Sequence, residues 1–131
     1  MEKLSVEDFL LIAENVLGIP AERLAHETRL AAAATALAAP FAVRGGRERH
    51  VTLAEKAATL CIRLVRDRPL VVGNEQVALL ATLELVARNH GVWIPPLGGQ
   101  DEIAGMIALL AAGQLSDAAF LGWIRERVPS R

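Results

Sequence analysis

The sequence predicts an all-α protein, a single domain over residues 1–131, with about six helices and one short hairpin. Three observations lead there. The chain is 53% hydrophobic but only 4% aromatic, so its core is built from Leu, Ala and Val, and Ala and Leu favour helices. Apolar residues recur at three- and four-residue spacing in several segments. Those segments are bounded by capping residues on one side and by Gly or Pro on the other. A chain of this size buries roughly two-thirds of its unfolded surface, enough for one core.

Ser5 caps the first helix, with Asp8 three residues on in a partial capping-box arrangement. Val6, Phe9, Leu10, Ala13 and Leu17 share one face, and Gly18 and Pro20 end the helix. Residues 21–27 read as a mixed connector. A second helix is expected from about Thr28 to Ala39, stopped by Pro40. His26, at its mouth, reads as a surface or capping residue. Between Phe41 and His50, the pair Gly45-Gly46 signals a hairpin joining two short extended pieces. Thr52-Leu-Ala-Glu55 is a full capping box. It opens a helix through Asp67, with a broad apolar stripe that includes Leu53, Ala57, Leu60 and Leu64. Cys61 in that stripe reads as a small buried hydrophobe; as the only cysteine it excludes an internal disulfide.

Pro69 disfavours helix at Arg68, Gly73 permits a tight turn, and Asn74 is a good N-cap. Val77 to Val86 is then almost wholly apolar, as in a helix buried on most sides, and Asn89-His90-Gly91 stops it. Pro95, Pro96, Gly98 and Gly99 make residues 93–100 a loop. Asp101 opens a fifth helix through about Ala112, ended by Gly113. Ser116 caps the last, with Phe120, Trp123, Ile124 and Val128 on its inner face and Trp123 as a core anchor. Arg125 and Arg127 in its last turns suit the helix dipole.

The net charge of −1 gives no electrostatic case for nucleic acid or an anionic membrane. No uncharged apolar run reaches the roughly 18 residues of a membrane span. The N-terminus has no basic segment followed by an apolar run, so no signal peptide is expected, and a cytoplasmic location is. None of His26, His50 and His90 has a partner at metal-ligand spacing, so neither metal nor cofactor is expected.

The loop that feeds the buried helix is the one stretch that points to a site. A glycine turn at a helix start directs free backbone N–H groups and the helix dipole at one spot, where an anion can bind. Gly73 and Asn74 supply that turn, with Arg66 and Arg68 as nearby cations. The stretch Arg68-Pro-Leu-Val-Val-Gly-Asn-Glu-Gln-Val-Ala78 resembles the signature loop of the Fic/Doc family, His-Pro-Phe-x-Asp/Glu-Gly-Asn-Lys/Gly-Arg, often followed by Thr-Ala. Pro69, Gly73, Asn74 and Ala78 match the pattern. Arg68 stands where the family has its catalytic His, Val72 where it has its metal-binding acid, and Glu75 and Gln76 where it has the phosphate-holding Lys and Arg. The start Leu53-Ala-Glu-Lys-Ala-Ala58 and the Asn-Gly-type stop are also similar to Doc-type toxins. The resemblance covers most of the chain, from about Leu4 to Val128, and implies a Fic/Doc-like helical bundle. It also makes Val43, Arg44, Gly45, Gly46 and Arg47 the flap, a hairpin beside the active site that pairs with an extended target segment.

Family members transfer part of a nucleotide to a protein hydroxyl. That step needs a base near neutral pKa, and a guanidinium does not give up its proton at working pH. It needs Mg²⁺ on an acid, and valine offers no oxygen. It needs cations at the phosphates, where this chain has Glu75. The resemblance therefore implies a Doc-like protein of toxin–antitoxin type with a degenerate motif, a non-catalytic binding or regulatory protein whose partner is an antitoxin-like or other protein. The departures weigh against nucleotide binding and against nucleotidyl- or phosphotransferase activity. Two alternatives stay open: residual transfer to a protein hydroxyl, and an enzyme that has rebuilt the same pocket around a small anionic substrate, with His50 as substitute base. An ion pair among Arg66, Arg68 and Glu75 is expected to close the loop.

Overall fold

A computed structural model describes residues 1–130. Helix α1 (Val6–Leu17) starts on a complete capping box: the Asp8 N–H donates to Ser5 Oγ at 3.0 Å, and the Ser5 N–H to Asp8 Oδ2 at 2.9 Å. Residues 21–27, expected as a connector, form a two-turn helix, α2 (Ala21–Glu27). Its start follows Pro20, and the Ala21 N–H is capped from α1 by the Glu14 carboxylate at 2.6 Å. Leu24 is its one buried side chain. The described residues thus contain seven helices rather than about six.

Thr28, extended at φ −82° and ψ 142°, ends α2, so α3 (Leu30–Ala38) begins two residues later than expected. Pro40 sits in a 3₁₀ turn, Ala39–Phe41, that leads to the hairpin. Strands β1 (Val43–Arg44) and β2 (Arg47–Glu48) pair antiparallel, Val43 opposite Glu48 and Arg44 opposite Arg47. Gly45 and Gly46 both take positive φ, as a two-residue turn between right-twisted strands requires.

Helix α4 (Leu53–Asp67) is the centre of the bundle and touches α3, α5, α6 and α7. Ala57, Leu60, Cys61, Leu64 and Val65 are buried along it. Burial pushes the Cys61 thiol up to about 12, so it is a packing residue without thiolate chemistry. Helix α5 (Asn74–Arg88) lies between α4, α1 and α6, and buries Val77, Ala78, Ala81, Leu85 and Val86. Helix α6 (Gly99–Ala111) starts two residues before Asp101. Glu102 reaches back to the Gly98 N–H at 3.2 Å and leaves Asp101 in the first turn. Helix α7 (Asp117–Arg127) is capped by Ser116 as expected, and buries Phe120 and Ile124. Trp123 is half-buried. It ties α7 to α6 through a 2.8 Å hydrogen bond from its indole N–H to Glu102, and meets Trp93 edge-on at 6.1 Å. The fold is all-α with one short hairpin, and no described helix is long and apolar enough to cross a membrane.

Candidate functional site

Helix α4 ends at Arg68, whose backbone is left-handed (φ 45°, ψ 61°) and whose N–H still bonds the Leu64 carbonyl at 3.2 Å. The Arg29 guanidinium donates to the carbonyls of Asp67 and Arg68, the latter at 2.8 Å. The Arg29 N–H bonds the Pro69 carbonyl at 2.9 Å. A cation on the last carbonyls of a helix satisfies orphan acceptors and suits the dipole. The chain then turns through buried Leu70 and exposed Val71 and Val72 to Gly73. Gly73 has φ +75°, and a Cβ there would lie 2.4 Å from Leu17 Cδ2. The positive φ favours glycine, and any larger residue would also have to push the Leu17 methyl aside.

Asn74 is the first residue of α5 rather than its N-cap, which is Gly73. Its buried side chain closes the loop on itself: the amide donates to the Leu70 carbonyl at 2.9 Å and accepts from the Leu70 N–H at 3.0 Å. No side chain caps the first turn of α5.

The motif positions are thus arranged around the loop. Arg68 and Glu75 face each other with Nη1 and Oε1 3.7 Å apart. Val72 is 54% exposed and presents only carbon. Glu75 and Gln76 line a groove against α6, with Leu79, Ile103 and Ile107. Of the expected ion cluster, only the Arg68–Glu75 pair forms. Arg66 sits on another face of α4 and forms a two-pronged ion pair with Asp117 of α7, at 3.1 and 2.5 Å.

His50 does not join the loop either. It lines a separate cleft with Arg49, Thr59, Arg63, Arg66 and Asp117. Its Nδ1 lies 3.3 Å from Thr59 Oγ1. Burial, and then the charge of Arg49, hold its pKa below the ordinary histidine value; Lys56 acts in the same direction and Glu55 against it. The hairpin residues Val43, Arg44, Gly45, Gly46 and Arg47 are all exposed.

The least expected residue is Lys56, 1% exposed on the second turn of α4. Its ammonium donates to the His50 carbonyl, lies 3.5 Å from Glu48 Oε1, and sits 5.4 Å from the centroid of the Phe41 ring. It pins the hairpin's root to α4. A lysine at an inward position of a capped amphipathic helix was the available signal. Arg29 and Asp117 carry no comparable sequence signal, because their partners lie far away along the chain, and Thr59 meets His50 only where the hairpin folds back onto α4. Among the described residues, no three His, Cys, Asp or Glu side chains converge. No family model matches the chain, and no curated protein matches it.

Proposed function

We propose that the chain is a Doc-like protein of the Fic type that keeps the signature loop's backbone but not its chemistry, and that acts by binding a protein partner rather than by transferring a nucleotide. The observation that carries this reading is the engagement of the loop's own side chains. Arg68, at the base position, is paired with Glu75, at a phosphate-holding position. Asn74 is spent on Leu70. The acid position is aliphatic and solvent-facing. A carboxylate at the start of α5 stabilises the helix by roughly 0.3–1 kcal/mol through the dipole, and the same charge repels a phosphate. An antitoxin-like segment is the partner this reading implies.

Calorimetric titration with ATP and GTP, with and without Mg²⁺, is expected to give no heat and no thermal shift. The quadruple variant Arg68→His, Val72→Asp, Glu75→Lys, Gln76→Arg is expected to gain Mg²⁺-dependent nucleotide binding. A wild-type protein that binds nucleotide would overturn the non-catalytic reading. A folded quadruple variant that binds none would overturn the likeness to the signature loop.

A further inference from the structure

A cleft lies away from residues 68–76, between α3, the hairpin, α4 and α7. It has a volume of about 690 Å³, within the roughly 300–1,000 Å³ of small-molecule sites. Thr59, Ile62, Arg63 and Arg66 form its floor, spaced three and four residues apart on one face of α4. One wall is α3 and the hairpin's flanks, with Ala38, Ala42, Arg49 and His50; the other is the start of α7, with Asp117.

Charge is concentrated here against the chain's overall balance of −1: three guanidinium groups line the cleft and one carboxylate does. Arg63 is held by Asp67 at 3.1 Å and Arg66 by Asp117. Arg49 forms no ion pair among the described residues. Apolar surface from alanines and Ile62 lies beside these groups, so the cleft offers cations at one place and carbon surface at another. Small-molecule sites likewise combine apolar surface with placed polar groups.

We propose that this cleft binds a small organic anion, its phosphate or carboxylate head between Arg49 and Arg66 and its apolar body on Ala38, Ala42 and Ile62. Asp117 is then a resident competitor: it occupies the Arg66 fork that a planar or tetrahedral oxyanion would take in bidentate fashion. Thr59 holds His50 by Nδ1 and leaves Nε2 as the ring's second hydrogen-bonding atom. This site includes none of residues 68–76 and goes beyond the reading of the loop.

Amide chemical-shift titrations with phenyl phosphate, benzoate and inorganic phosphate test it. Saturable shifts are expected at Thr59, Ile62, Arg63 and Arg66, tighter for phenyl phosphate than for inorganic phosphate because only the former has an apolar body. A preference between phenyl phosphate and benzoate identifies the head group. Arg49→Gln and Arg66→Gln are each expected to weaken binding about tenfold or more, the loss of one charge-assisted hydrogen bond. Asp117→Asn is expected to tighten it several-fold. Arg66→Gln and Asp117→Asn break the same α4–α7 ion pair, so loosening of the fold cannot produce opposite changes in affinity. No saturable shift with any probe, or weaker binding by Asp117→Asn, overturns the site. Shifts confined to Gly73–Gln76 would also overturn it, by placing anion binding in the loop.

Discussion

The side chain of Asn74 is buried and spends both of its polar ends on one residue, Leu70. That double hydrogen bond holds the turn in which Gly73 takes its positive φ against Leu17. Asn74→Ala strands a backbone donor and a backbone acceptor of a buried residue, at about 1–3 kcal/mol each. A loss of about 2–6 kcal/mol in urea unfolding is therefore expected; a loss below about 1 kcal/mol would mean that water reaches Leu70. The positive φ at Gly73 was legible, since glycine before a helix start is a turn signal. The clamp was not: Asn before an apolar helix reads as a cap, and the path of the loop alone brings Leu70 to it. The Arg68–Glu75 pair was also legible, but both side chains are about half exposed, so it is worth at most about 1 kcal/mol. Arg66 leaves the loop for a geometric reason. Helix α4 continues through Asp67, and residues two apart on a helix point to different sides.

Helix α4 is tied at both ends by groups from outside it. Arg29 holds its last carbonyls. Lys56, in its second turn, holds the carbonyl of His50 and so the root of the hairpin. Lys56→Met keeps the aliphatic stem and removes the donor, leaving the His50 carbonyl without its partner. The expected cost is about 1–3 kcal/mol. Hydrogen exchange should also speed up at the Arg49 N–H, which bonds the Ala42 carbonyl at 3.0 Å. Unchanged protection at Arg49 would show that the hairpin's own ladder suffices. Among the elements, those with a periodic apolar face and two punctuated ends were legible: α1, α4, α5 and α7 lie where the sequence puts them. Helix α2 has one buried side chain and borrows its cap from Glu14 on α1, so its stabilisation is tertiary and leaves no local pattern. For the same reason the His50 cleft was invisible. It is assembled from α3, the hairpin flanks, α4 and α7, and only the packing of those elements brings Arg49, Arg66 and Asp117 together.

At the scale of the whole molecule, two groups, Asp8 and His50, make stability depend on pH in separate windows. Asp8 of α1 accepts a 2.7 Å hydrogen bond from Arg88 of α5. That bond, and then the Ser5 N–H, hold its carboxyl below the ordinary carboxylate value. The unfolded chain therefore binds this proton more readily than the folded one. The stabilisation is full above the unfolded value of about 3.9 and is lost as pH falls through the folded one. His50 is depressed in the same direction by burial and by Arg49. Its neutral form is favoured in the fold, so stability falls as pH drops below the unfolded value of about 6.5 toward the folded value. Urea unfolding from about pH 3 to pH 8 is thus expected to rise in two steps, the upper from His50 and the lower including Asp8. Arg88→Gln should flatten the lower step and leave the upper one. His50→Gln should do the reverse. If Arg88→Gln lowers stability equally at every pH, the α1–α5 contact acts through packing of the arginine stem rather than through the carboxylate's charge.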